Sequence, residues 1–205
     1  MKLTSKEQET IQYYDENSQI WAERNDHNAD NSIFKKQIGL ILKLVPKGKV
    51  LEIGSGNGKD AVMLINHFGK DNYIGVDASK GLIELAQKNN PGAIFVNTSV
   101  YDLDMIDEKF DCCWVCAMLI HVPKDRIEEA LKSVRAKMKT GGYGFFSMLE
   151  GIGDMENHRP GRYFTLYTQE EFANILEANG FKVVSKDIVD AHQESRWLTY
   201  ICQVV

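Results

Sequence analysis

The sequence predicts an α/β fold, a mostly parallel sheet with helices on both faces. Three observations lead there. The apolar run Val50, Leu51, Ile53 ends in three alternate glycines, Gly54, Gly56 and Gly58, and passes at once into an amphipathic stretch (Ala61, Val62, Leu64, Ile65, Phe68). That is a buried strand turning sharply into a helix. A second apolar strand, IGVDAS at 74–79, closes on an acid, Asp77, 23 residues after Gly54. Strand and helix patterns then alternate along the chain, and the alternation requires parallel strands joined by crossover helices.

The elements follow in order. Thr4 with Glu7 forms a capping box that opens a first helix, with Ile11, Tyr14, Ser18 and Trp21 on one face. A polar break occupies 23–31. A second helix is predicted over 32–45, with Ile33, Ile38, Ile41 and Leu44 inward and Pro46 and Gly48 ending it. Strand 48–54, helix 58–68, strand 72–77 and helix 80–89 come next. The turn Asn90-Pro91-Gly92 leads into a short strand at 93–97, and the fourth strand covers 110–117. Pro123 opens a helix whose apolar face is Ile127, Ala130, Leu131, Val134 and Met138; Thr140-Gly141-Gly142 breaks it before a strand at 143–149. Thr168 with Glu171 is a second capping box, opening a helix with Phe172, Ile175 and Leu176 inside, and Asn179-Gly180 stops it. Two closing strands, 181–189 and 197–205, read as an antiparallel pair with a long loop.

A chain of 205 residues suits one domain over 1–205, able to bury roughly 70% of its unfolded surface. Apolar residues make up 43% and charged residues 26%, a balance that excludes a disordered or fibrous chain. No apolar run approaches the length of a membrane span, and the polar start MKLTSKEQET holds no apolar signal core, so a cytoplasmic protein is expected. The formal net charge of −5 argues against a nucleic-acid partner, whose phosphates call for a basic excess. Oligomeric state is not written in the sequence.

Four cysteines invite a metal reading, three of them in FDCCWVCAML at 110–119. A buried strand explains them better. Successive strand residues point to opposite faces, so Cys112 and Cys113 cannot share one ion, and cysteine there acts as a small hydrophobe. No metal is expected.

Glycines at a strand tip let the backbone take positive φ and let a ligand lie against bare main chain. A carboxylate at the tip of the neighbouring strand is placed to hold two ribose hydroxyls. Together, Gly54–Gly58 and Asp77 read as a nucleoside-cofactor site. A dinucleotide fingerprint would be GxGxxG; here the third glycine comes one residue early and Lys59 takes its place, while Glu52 stands two residues before the first glycine. The pattern E-x-G-x-G-x-G with a later Asp resembles motifs I and II of the class I S-adenosylmethionine-dependent methyltransferases. The resemblance runs from about Tyr13 to the C-terminus.

That resemblance implies a Rossmann-like methyltransferase fold of seven strands, order 3-2-1-4-5-7-6, with the last strand antiparallel. It implies methyl transfer from S-adenosylmethionine, with S-adenosylhomocysteine as product. Gly54, Ser55 and Gly56 would pass close to the methionine part, with Glu52 supporting the loop. Asp77 would accept from the ribose, Ala78 would flank the adenine, and Ser99 would stand where the family often has an acid for the adenine amino group. Val100 would offer its amide to the ring and Ala117 would lie beside the methionine chain. Residues 1–45 would form a helical cap, with Tyr14 and Trp21 on its inner face.

The acceptor side is read from residue chemistry. His121, just after the fourth strand, titrates near neutral pH and is a candidate base; Glu150 ends the fifth strand and faces the cleft mouth. The segment 150–167 is too long for a turn and suits an acceptor loop. It contains His158, and after it come Arg162, Tyr163 and Tyr167, a cationic and aromatic cluster fit for a small acceptor. The function expected is methyl transfer to a small molecule. Two alternatives stay open: an NAD-dependent oxidoreductase, and a protein of this fold that binds cofactor without catalysis.

Overall fold

The computed structural model describes residues 2–24, 32–154, 161–191 and 195–205. Among them one sheet holds β1 (Val50–Ile53), β2 (Tyr73–Asp77), β3 (Ile94–Asn97), β4 (Phe110–Val115), β5 (Met138–Glu150), β6 (Leu166–Tyr167), β7 (Phe181–Asp190) and β8 (Arg196–Val204). The order is β3-β2-β1-β4-β5-β8-β7, with β6 set beside the end of β5. Strands β1 to β5 pair in parallel; β8 runs antiparallel to β5 and β7. Leaving aside the two-residue β6, this is the predicted order with its antiparallel member. The reversal lies between β1 and β4, so the crevice that binds ligands in such sheets opens at their carboxyl ends.

Seven helices are described: α1 (Ser5–Glu16), α2 (Ser18–Arg24), α3 (Lys35–Leu44), α4 (Ala61–Phe68), α5 (Lys80–Asn89), α6 (Ile127–Lys137) and α7 (Gln169–Ala178). The sheet's strict alternation sorts its side chains into two cores. Cys113 and Val115 face the core shared with α6 and α7, while Cys112 and Trp114 face the core shared with α3, α4 and α5. Adjacent cysteines therefore serve opposite faces as small hydrophobes. Trp114 stacks on Phe145 at 4.0 Å between centroids.

Beyond small shifts at element ends, the structure departs from expectation in four places. The first helix breaks at Asn17, whose side-chain amide donates to Tyr13 O (2.8 Å); an asparagine that bonds its own backbone competes with the helix, and α2 restarts at Ser18. The second predicted helix loses its first turn, because Ser32 Oγ accepts the Phe34 N–H and forms a turn there instead. Met138 is not on α6. It begins β5 and pairs with Phe110, and the predicted break at 140–142 is a bulge where the register jumps from Phe110↔Met138 to Cys112↔Tyr143. Finally, β6 was not foreseen. A two-residue strand has no period to read, and it exists because Leu166 and Tyr167 find Leu149 and Glu150 beside them.

Candidate active site

A cleft of about 1090 Å3, its open mouth included, lies over the carboxyl ends of β1, β2 and β4 and beneath α1. Its floor is built by the bend after β1. The amides of Gly54 and Ser55 both donate to Val76 O (2.8 and 2.9 Å), fastening the bend to β2. Gly54 and Gly56 have φ of +78° and +55°, which only glycine adopts freely. Space is a second constraint. A Cβ on Gly54 would come within 2.4 Å of Met118 Cβ, and one on Gly56 within 3.3 Å of the Trp21 ring. Gly58 serves packing instead, since a Cβ there meets Asn90 and Ala86 of α5.

Asp77 joins the two strand tips. Its Oδ2 accepts the Gly56 N–H (2.9 Å) and its Oδ1 the Ser79 N–H (2.8 Å), and the residue lines the cleft. Burial pushes its carboxyl up to about 6, against the pull of those two amides. Beneath, Glu52 is buried and accepts from the Tyr73 hydroxyl; burial and the neighbouring Asp60 carboxylate push it well above the ordinary range. Asp60 Oδ2 accepts from the Trp114 indole N–H (2.9 Å). Ser55 Oγ and Asn57 Oδ1, both buried in the cleft wall, have no hydrogen-bond partner among the described residues.

Ala78, Ser99, Val100 and Ala117 also line the cleft. Ser99 Oγ donates to Asp102 Oδ2 (2.8 Å), which sets a carboxylate beside the serine. Ala117 holds a φ of +54°, rare for a residue with a Cβ, with its N–H on Ser147 Oγ (2.8 Å).

The roof is α1. Tyr14 and Trp21 both line the cleft and meet edge to face, 5.8 Å apart. The Tyr14 hydroxyl lies 3.0 Å from His121 Nε2, and His121 Nδ1 lies 2.7 Å from Tyr163 O. A carbonyl only accepts, so Nδ1 carries a proton, and in that tautomer of a neutral ring Nε2 is the nitrogen that accepts from Tyr14. Burial raises the Tyr14 phenol above its ordinary value, against the hydrogen bond and charge of Arg162.

Four predicted acceptor residues stand elsewhere. Glu150 pairs with Arg196 (2.6 Å). Arg162 lies over the Tyr13 and Tyr14 rings and hydrogen-bonds the Tyr14 side chain from outside the cleft lining. Tyr163 and Tyr167 are buried, under Lys6 and Lys124 respectively. None of the four lines the cleft. The cause is local: Thr165 N donates to Ile120 O (2.7 Å) and Thr165 Oγ1 to Val122 O (2.7 Å), drawing 163–167 down onto the sheet as a strap. Tyr163 reaches His121 through its backbone. His158 lies outside the described residues.

Sequence reasoning missed the other anchors of the roof. Glu7, spent as a helix cap in the capping-box reading, also accepts from Tyr101 (2.5 Å) and Arg126 (2.7 Å). Asp15 Oδ1 accepts from Ser79 Oγ (2.7 Å) and Gly81 N (3.0 Å). Thr10 Oγ1 accepts the Tyr163 N–H (3.0 Å). The spacing of Glu7, Thr10 and Tyr14 on one helical face was the available signal.

Residues 50–142 match the family model of a methyltransferase domain. An uncharacterized protein of Methanocaldococcus jannaschii is 28% identical over 179 residues, 82% of this chain and 79% of that one. Phosphoethanolamine N-methyltransferase of Plasmodium falciparum is 26% identical over 165 residues, 76% of this chain and 62% of that enzyme. Among solved structures, the Burkholderia thailandensis 1,6-didemethyltoxoflavin-N1-methyltransferase, with 1,6-didemethyltoxoflavin and S-adenosylhomocysteine bound, aligns at a TM-score of 0.77. It shares 20% identity, over 100% of this chain and 92% of that one.

Proposed function

We propose, from the premise that this chain is a methyltransferase of the class I S-adenosylmethionine-dependent family, that it methylates a small-molecule acceptor whose nucleophilic atom is presented to Tyr14. The residues present fit the cofactor. Gly54 and Gly56 leave bare backbone where a Cβ would fill the cradle. Ser55 and Asn57 hold buried polar atoms in the wall that find no partner among the described residues. Asp77 lines the cleft with a carboxylate, the chemistry that accepts from ribose hydroxyls. When bound, S-adenosylmethionine supplies a methyl group already activated on a sulfonium.

The protein's own work is alignment, exclusion of water and, for an acceptor that must lose a proton, proton removal. Tyr14 and Trp21 close the cleft from above, which excludes water. The Tyr14 oxygen takes the acceptor's proton as its own proton moves to His121 Nε2. The imidazolium so formed keeps Nδ1–H on Tyr163 O, where the carbonyl dipole stabilises it. The proton then leaves to water. One observation carries the reading: a hydrogen-bonded tyrosine–histidine pair shares a cleft with an aspartate that already gathers the glycine bend.

Calorimetric titration with S-adenosylhomocysteine and, separately, NAD tests the reading. Heat with the former and none with the latter is expected; the reverse would move the chain to the oxidoreductases. Release of labelled methyl to a panel of metabolites separates an active enzyme from a protein that only binds cofactor.

A further inference from the structure

Two residues of α1 reach the cleft one helical turn apart, and their hydrogen bonds belong to one closed circuit. Thr10 Oγ1 donates to Lys6 O within its own helix (2.9 Å) and accepts the Tyr163 N–H (3.0 Å). Tyr163 O accepts from His121 Nδ1 (2.7 Å). His121 Nε2 meets the Tyr14 hydroxyl (3.0 Å), and Tyr14 lies four residues after Thr10 on the same face. The circuit Thr10, Tyr163, His121, Tyr14 therefore closes through the backbone of α1. Thr10 is 3% exposed, so its bond to Tyr163 is shielded from water.

The strap fixes the histidine without help from α1. Both bonds from Thr165 clamp 163–165 against 120–122, and Nδ1–H is set by that clamp. What α1 adds is the partner of Nε2. A helix resting on a surface is free to slide or roll, and a shift of about 1 Å takes a 3.0 Å bond beyond hydrogen-bond range. Glu7 pins one end of α1 to Arg126, and Asp15 pins the other to Ser79 and Gly81. Between those ends, Thr10 grips the strap at the Tyr163 amide one turn before Tyr14, whose side chain also meets Arg162.

We propose that Thr10 is a positioning residue: by holding the Tyr163 amide it sets the register of α1 in which Tyr14 meets His121. The inference rests on the reading of Tyr14 and His121 given above. Valine at this position keeps the shape but offers no acceptor, and the buried Tyr163 amide is left unpaired. The helix then moves to relieve it while its two end anchors keep it docked.

The test is the 15N shift of the His121 ring in the ligand-free protein. Tyr14→Phe supplies the reference value for an Nε2 without its donor. Thr10→Val, with Tyr14 intact, is expected to reproduce that Nε2 shift, and Thr10→Ser to restore the native one, with Nδ1 protonated throughout. A native Nε2 shift in Thr10→Val overturns the proposal; if that variant does not fold, Thr10→Ala gives the same decision. S-adenosylhomocysteine titrated into the native protein tests the underlying reading separately. Absence of heat there retires the methyltransferase assignment whatever the ring shift reports.

Discussion

Asp77 Oδ2 accepts the backbone N–H of Gly56 at 2.9 Å, so the acid of the second strand tip also holds the bend of the first. The carboxylate is thus a structural tie and, on the proposed reading, a ligand at once. Asp77→Ala removes both. Cofactor affinity should fall by about 1–3 kcal/mol, the cost of leaving buried partners unpaired. Calorimetry with S-adenosylhomocysteine measures it, and an unchanged affinity would refute the ribose assignment.

The same residue predicts a pH dependence. Burial raises its carboxyl from 3.8 to about 6. Between those values the folded state binds the extra proton and the unfolded state does not. The ligand-free protein should therefore gain stability as pH falls from about 6 toward 4, by at most about 3 kcal/mol at some 1.4 kcal/mol per unit. Ribose hydroxyls bind the ionised form, so cofactor affinity should move the other way and weaken below about pH 6. Thermal melts with and without S-adenosylhomocysteine across pH 4.5–7.5 check both; parallel curves would contradict the linkage.

Much of this was legible because it depends on local periodicity. The strand-bend-helix at 50–68 and the acid at Asp77 show in spacing alone, and the sheet order followed once the family resemblance was seen. The cleft's floor needs no side chain from far away in sequence. Its roof does. Glu7 meets Tyr101 and Arg126, 94 and 119 residues away, and no local pattern announces such a pairing. The acceptor cluster failed for a related reason. Tyr163 and Tyr167 look like ligand residues by composition, but Thr165 ties them to 120–122, and an aromatic ring in a strap packs into the core. Met138 fitted the helical period and still became a strand residue, because Phe110 stood opposite.

Tyr14 and His121 should act as a unit. Tyr14→Phe and His121→Ala are each expected to lower the rate of methyl transfer by about 10²-fold or more for an acceptor that must lose a proton. The double variant should lose little beyond either single one, because both interrupt one proton path. Rates from labelled cofactor decide this, and additive losses would mean that the two residues act separately.

Glu7 and Arg126 form an ion pair whose side chains are only 6% and 12% exposed. Burial pushes the Glu7 carboxyl up, but hydrogen bonds from Tyr101 and Thr4 and the Arg126 charge outweigh it, and the group sits below its ordinary value. Stability drawn from the pair is present above the unfolded value of 4.5 and is lost as pH falls through the lower folded one. Arg126→Met leaves a buried carboxylate without its cation and should destabilise the fold by about 3–5 kcal/mol. Glu7→Gln in the same chain should recover part of that loss, since it removes the buried charge, although its one carbonyl oxygen can keep only the Tyr101 contact or the Thr4 contacts. Denaturant midpoints at neutral pH measure both variants. If Arg126→Met melts like the native protein, the roof helix is held by its other anchors, and the pair is a by-product of packing.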